Sequence, residues 1–190
     1  MPDLKKNSPP LVWIDLEMSG LDPEECRILE AAVVITDGDL NELGDPLELI
    51  VHQPDEVLDA MDEWNAKQHG KSGLTKAVRA SKVSEDEAAK LIAAHLSARC
   101  QAGQSPLCGN TVGHDKRFLL KYMPAVTDIL HYRIVDVSSI KELADRWYPD
   151  TTTPKKGETH RALDDIRESI AELRFYRENV FREPEPPSGG

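Results

Sequence analysis

No stretch of this sequence approaches the roughly 18 consecutive apolar residues that a membrane-spanning helix needs, so no membrane span is expected. The opening residues, MPDLKKNSPP, contain no apolar h-region and are too short and Pro-rich for an amphipathic transit peptide; the expected location is therefore cytoplasmic. Cysteine is scarce. Cys26, Cys100 and Cys108 are odd in number and no two have the spacing of a zinc site, which leaves free, buried thiols in a reducing compartment. Positive charge is the third shortage, with 23 Lys and Arg against 34 Asp and Glu, a net charge of −11. A protein that grips long nucleic acid needs a broad basic surface. This chain cannot easily offer one, so long duplex nucleic acid is not an expected partner. An acidic protein acting on nucleic acid must use bound cations or handle very few phosphates. No internal repeat is present.

What remains is a chain of 190 residues, 39% hydrophobic and 30% charged, a composition and length that suit one soluble domain with a real core. Residues 1–9 read as a disordered lead, 10–183 as the domain and 184–190, after Pro184, as a flexible tail. Three β-rich segments open the domain, at 10–18, 27–39 and 47–53, and short connections favour an antiparallel meander. The period then changes. Residues 55–69 read as a helix ending at Gly70. Ser84 and Glu87 form a capping box for a helix to about Ala98, with Ala88, Leu91, Ile92, His95 and Leu96 as its apolar stripe. A short strand at 105–109 precedes a helix that Asn110 is placed to cap. Another strand at 131–137 precedes a helix to about Trp147, capped by Ser138 or Ser139. A polar loop at 151–158 leads to a last helix over 160–182, with Leu163, Ile166, Ile170, Leu173 and Tyr176 on one face. Three strands followed by alternating helices and strands give an α/β fold, a mixed sheet with helices packed on it.

Four carboxylates and one histidine stand out by placement. Asp15 and Glu17 lie two apart at the end of the first strand and so share a face. Two such acids repel each other when buried, and a cation relieves that; a strand end emerging into water is the equally good alternative. Asp115, one turn into a helix, and Asp164 and Asp165, in the first turn of another, each sit where the helix dipole favours a carboxylate anyway. Taken singly, none is informative. In order, however, they form D-x-E on a first strand, N-x-x-x-x-D after a mid-chain strand, and H-x-x-x-x-D on a closing helix.

That order resembles the three exonuclease motifs of the DEDD superfamily, in its histidine-containing branch. The blocks WIDLEMSGLDP, EWNAKQHGKSGL, GNTVGHDKRFL, YRIVDVSSIKELADRWYP and THRALDDIRESIAELRFYR further resemble the signature blocks of the oligoribonuclease family, and they span residues 13–177. The resemblance implies a ribonuclease H-like fold with a five-stranded mixed sheet flanked by helices. It implies metal ligands at Asp15, Glu17, Asp115 and Asp165 and a general base at His160. Ideal helix geometry places Asp164, not Asp165, over His160. The family spacing selects Asp165, and the two agree if His160 precedes the helix. An all-oxygen ligand set suits two hard divalent cations, Mg²⁺ or Mn²⁺. The implied reaction is 3′→5′ removal of nucleoside 5′-monophosphates from short oligoribonucleotides, diribonucleotides above all.

The resemblance also supplies walls for a small pocket. It makes Leu21 an apolar wedge between two bases and Trp64 a stacking platform, for which helix–sheet core is the structural alternative. It makes Arg133, Ser138 and Ser139 a cap for a 5′ phosphate, where a guanidinium and hydroxyls at a helix N-terminus are chemically apt. Thr111 stands where related sequences often carry serine, and its hydroxyl could join that cap. His69 and Tyr132 match positions that can reach the site from a second subunit, which makes a homodimer part of the expectation. Two rival functions share these residues. A proofreading 3′→5′ deoxyribonuclease would use the same five catalytic positions, and the Trp64, Arg133 and Ser138 context argues against it. A non-catalytic RNA-binding protein on a nuclease fold would not need the complete acidic set.

Overall fold

A computed structural model describes residues 8–151 and 161–181. Most of the lead, the loop at 152–158, His160 and the tail at 184–190 therefore lie outside the described residues. The strands are β1 (Leu11–Met18), β2 (Ile28–Thr36), β3 (Leu47–Ile50), β4 (Pro106–Gly109) and β5 (His131–Asp136). The helices are α1 (Asp55–Asp59), α2 (Glu63–Lys71), α3 (Leu74–Ala80), α4 (Glu85–Ser97), α5 (Gly113–Tyr122), α6 (Pro124–Thr127), α7 (Val137–Trp147) and α8 (Ala162–Asn179). The five strands form one mixed sheet in the order β3-β2-β1-β4-β5. β1, β2 and β3 are the expected antiparallel meander, and β4 and β5 add in parallel on the other side of β1.

Alternation along β1 decides the two faces. Val12, Ile14 and Leu16 enter a core with Ala31, Val33 and Ile35 of β2, covered by Ile92 and Leu96 of α4 and Phe118 and Leu119 of α5. Trp13 faces the opposite way, with Ala32 and Val34, against Ile166, Ile170 and Tyr176 of α8 and Val137 of α7. Its indole Nε1 donates to Thr36 Oγ1 at 3.1 Å, so the largest buried side chain leaves no orphaned polar atom. A third cluster packs Leu58, Leu74 and Val78 of the short helices against Leu29.

Several local expectations are corrected. The single helix over 55–69 is two helices, and Gly70 lies inside the second. Asp62 restarts the chain by accepting from Asn65 N at 2.8 Å, and the stop comes later, at Gly73 with φ +79°. α3, with Leu74 and Val78 buried, then α6, were not anticipated. On α4 the capping box forms, with Ser84 Oγ accepting from Glu87 N at 3.2 Å. The buried stripe uses Ala89 rather than Leu91, which is exposed. Asn110 does not cap α5, because the helix starts at Gly113 and the Asn110 side chain is engaged by α8 instead. Neither serine caps α7; Asp136 does, accepting from Ser138 N at 3.0 Å. The third strand leaves the ladder after Ile50. Cys100 and Cys108 are buried and Cys26 partly so, all free. No helix among the described residues is long and apolar enough to cross a membrane.

The two faces of α4 give a direct stability test. Ile92→Ala is expected to cost about 2–5 kcal/mol, as for other buried large-to-small changes, whereas Leu91→Ala should stay within about 0.5 kcal/mol. Urea unfolding midpoints of the two variants check this; equal losses would mean that α4 is rotated from the orientation described.

Candidate active site

The three parallel strands β1, β4 and β5 end at the same edge of the sheet, the usual place for ligands in open α/β sheets. Asp15 and Glu17 stand near the end of β1, on the α8 face, because Val12, Ile14 and Leu16 claim the other. Asp165 comes from the first turn of α8. Carboxylate oxygens of Asp15, Glu17 and Asp165 all lie within 4.8 Å of one another, a grouping that could hold a metal ion. Asp115, buried in the first turn of α5, joins from the neighbouring strand–helix unit; its Oδ1 accepts from Leu16 N at 3.0 Å, between Asp15 and Glu17 in the chain. Asp164 is exposed and outside the group, and α8 begins at Ala162, after position 160. His160 itself lies outside the described residues.

The electrostatics are those of acids crowded away from water. Burial, and then the charges of Asp115, Asp165, Glu17 and Glu30, drive the Asp15 carboxyl well above the usual carboxylate range. Burial, then Asp165, Glu30 and Asp115, push Glu17 up to about 8, with Arg161 opposing. Burial raises Asp115 to about 7 despite its bond from Leu16 N. Crowded, hard oxygen donors with this excess of negative charge fit a divalent cation.

Glu30 and Arg161, neither given a role in the sequence reading, border the acidic group. Glu30 stands directly across from Glu17 on β2 and is fully buried, 0% exposed. Its oxygens accept from Arg161 Nε at 3.0 and 3.2 Å and Nη2 at 2.7 Å, and Nη2 also reaches Glu48 at 2.8 Å. The signal was available: Glu30 is the lone charge in the otherwise apolar strand ILEAAVVIT, and a buried lone charge demands a partner.

A second group gathers at the ends of β4 and β5. Thr111 takes a left-handed backbone, φ +52°, unusual for a β-branched residue. Its N–H is held by Asp136 Oδ1 and Ser138 Oγ, both at 3.0 Å, and its hydroxyl lies 3.1 Å from that of Ser138. Ser138 donates to Asn110 Oδ1 at 3.1 Å, and Asn110 Nδ2 donates to Ser169 Oγ at 2.8 Å and to Glu172 at 3.1 Å. Asp136 and Glu172 also went unnoticed in the sequence, the first within a strand over 131–137 and the second within the last helix. Ser139 and Arg133 are exposed nearby in the chain, and the Arg133 guanidinium lies 5.3 Å from the Tyr132 ring centroid. Leu21 at 68% and Trp64 at 65% exposure are free surface side chains, which removes the core reading of Trp64. Tyr132 is 72% exposed. His69 is buried at the end of β1, with Nε2 2.9 Å from Met18 O and Nδ1 4.0 Å from Glu17 Oε2, so within its own chain it stands beside the carboxylate group.

These shifts set a pH dependence. The folded-state pKa of Glu17 lies above its ordinary value of 4.5, so folding is favoured below that value and the contribution is lost as pH rises toward about 8. Metal-free protein should therefore show a falling thermal midpoint from mildly acidic to mildly alkaline pH, and Glu17→Gln should flatten the slope. Scanning calorimetry in chelator reads both; an identical slope in the variant would place the effect elsewhere.

Comparisons with known proteins follow the same line. The sequence matches the family model described as Exonuclease over residues 12–173. It is 54% identical over 173 residues to the oligoribonuclease of Shewanella loihica, covering 90% of this chain and 96% of that one. It is 52% identical over 174 residues to the mitochondrial oligoribonuclease of Homo sapiens, covering 90% and 73%. Among solved structures, exonuclease I from Methylocaldum szegediense superposes with a TM-score of 0.71 at 20% identity. E. coli exonuclease I in complex with a dT13 oligonucleotide gives 0.71 at 16%. Each superposition covers 90% of this chain and 41% of the other, which shows a shared fold. With an exonuclease model spanning most of its length and relatives this similar over nearly their whole length, the chain belongs to the exonuclease family and, within it, to the oligoribonucleases.

Proposed function

We propose that this protein is a 3′→5′ exoribonuclease of the cytoplasm that hydrolyses short oligoribonucleotides, diribonucleotides in particular, to nucleoside 5′-monophosphates, with residues 10–183 as its exonuclease domain. The observation that carries the reading is the meeting of Asp15, Glu17 and Asp165 within 4.8 Å at the strand ends, beside Asp115. Their oxygens suit two divalent cations, Mg²⁺ or Mn²⁺. Asp15, Glu17, Asp115 and Asp165 would hold them, and their chemistry there would be to acidify a water and to offset charge on the leaving 3′ oxygen.

The chain's own residues do the rest. Asp15, Glu17, Asp115 and Asp165 hold the scissile phosphate's counter-charge in fixed positions. His160, with an intrinsic pKa near neutrality, takes the proton of the attacking water as its oxygen bonds to phosphorus and the bond to the 3′ oxygen breaks. Leu21 and Trp64, both exposed, are free to contact bases; stacking on Trp64 would contribute about 1–3 kcal/mol. Arg133, Ser138, Ser139 and Thr111 receive the 5′ phosphate of the substrate. His69, beside Glu17, lines the same end of β1. Exposed Tyr132 remains available to a second subunit, and the working form is a homodimer. The net charge of −11 favours a substrate with few phosphates over a long strand.

Two outcomes are expected. With Mn²⁺, a 5′-phosphorylated diribonucleotide is degraded far faster than its deoxy counterpart or an RNA of about 20 nucleotides, whose added phosphates gain nothing from an acidic surface. Chelator abolishes release of mononucleotides. Equal rates on the short and long RNA would point to a general exonuclease. Second, His160→Ala retains Mn²⁺ binding and loses turnover by about 10²–10⁴-fold; near-parental hydrolysis at neutral pH would remove the histidine from the mechanism.

A further inference from the structure

We infer that Glu30 and Arg161 are positioning residues, whose ion pair, buried at Glu30 and part-exposed at Arg161, anchors the start of α8 and thereby sets where the Asp165 carboxylate meets Asp15 and Glu17. The inference rests on the reading of these carboxylates as cation ligands and adds Glu30, which the motifs do not contain, and a role for Arg161, which they contain without one.

The geometry is direct. Glu30 lies opposite Glu17 in the β1–β2 ladder, so it stands one strand away from the ligand group. Arg161 occupies the N-cap position of α8, where no side-chain cap is present. Its carbonyl accepts the Asp165 N–H at 3.0 Å, the bond that closes the first turn of the helix. Its guanidinium grips Glu30 through Nε and Nη2. One residue thus holds Asp165 by its backbone and the sheet by its side chain.

Energetics favour a geometric role over a stabilising one. Burying a carboxylate costs several kcal/mol, and an apolar pair of similar volume is often as stable or more so. The surrounding face of β2, with Ala32 and Val34, would accept apolar side chains. What an apolar pair cannot supply is the fixed direction of a two-edged guanidinium–carboxylate contact. Arg161 also meets a second acid, Glu48 at 2.8 Å, so two carboxylates outside the ligand group hold its guanidinium. Metal ligands depend on such supporting contacts, and losing one typically weakens metal affinity about 10–100-fold.

The test replaces both partners, Glu30→Met with Arg161→Met, which leaves net charge unchanged and isolates geometry. Mn²⁺ binding to the metal-stripped protein is measured by calorimetry, with thermal midpoint as the check on folding. The expected result is a thermal midpoint equal to or above that of the parent, and Mn²⁺ affinity at least about tenfold weaker. A folded double variant that binds Mn²⁺ within about twofold of the parent overturns the inference. If the double variant does not fold, Arg161→Lys decides. It keeps the charge and loses the fork, so weaker Mn²⁺ binding supports the anchor and unchanged binding overturns it. Asp165→Asn is run alongside. Parental Mn²⁺ affinity in that variant, or no binding by the parent itself, strikes the underlying ligand assignment and the inference falls with it.

Discussion

Like charges forced together at the end of a buried strand are the condition to which the rest of this molecule answers. Asp15 and Glu17 cannot turn away from the acidic group without turning Val12, Ile14 and Leu16 out of their core, since a one-residue slip would exchange the two faces of β1. The hydrophobic effect acting on β1 and β2 therefore sets the positions of acids that repel one another. Burial removes the water that would otherwise screen them, which is why desolvation is the foremost cause of the raised pKa values of Asp15, Glu17 and Asp115. A site in this condition gains from a divalent cation in two ways: repulsion is relieved, and the protons that would otherwise be taken up are excluded.

The neighbouring strand ends are shaped by hydrogen bonding rather than by charge. Thr111 with a positive φ carries strain of order 1–3 kcal/mol, and two acceptors on its N–H, from Asp136 and Ser138, offset it. The effect is to place two hydroxyls 3.1 Å apart at the N-terminus of α7, where backbone amides also point outward. Asp136 serves both ends of this arrangement, as cap of α7 and as acceptor for Thr111. The same residues that look like routine strand-to-helix punctuation thus build a polar corner.

What the sequence made legible follows the strength of its periodic signals. The meander, the capping box at Ser84 and the face of α8 were readable because each is a local pattern with a single physical cause. The D-x-E pair was readable as one-faced, and Asp165 separated from Asp164 once the helix start was known. The first two short helices after β3 were read as one, and α3 was missed, because Asp62 and Gly73 act through a side-chain cap and a positive φ, and apolar spacing reports neither. Asn110 was misread as a cap because its partners, Ser169 and Glu172, lie about sixty residues on, at 59 and 62 positions. Glu30 and Arg161, 131 positions apart, show the same blindness: a long-range polar pair leaves only an odd charge in an apolar strand as its trace.

Two sets of polar contacts lie along α8 on the side of the strand ends, and their placement has a consequence. Near its start, Arg161 and Asp165 face the sheet acids. One and two turns later, Ser169 and Glu172 hold Asn110, which in turn holds Ser138; Tyr176 donates to Glu172 at 3.0 Å and closes the chain of bonds within the core. A single helix, fixed by Ile166 and Ile170 against Trp13, therefore spans both the carboxylate group and the hydroxyl corner. Helices resist stretching, so the spacing between the two is held by covalent geometry and packing rather than by a flexible loop. If one group takes the scissile phosphate and the other the terminal phosphate, substrate length is read against a rigid element, and a chain of net charge −11 has little with which to hold a longer strand.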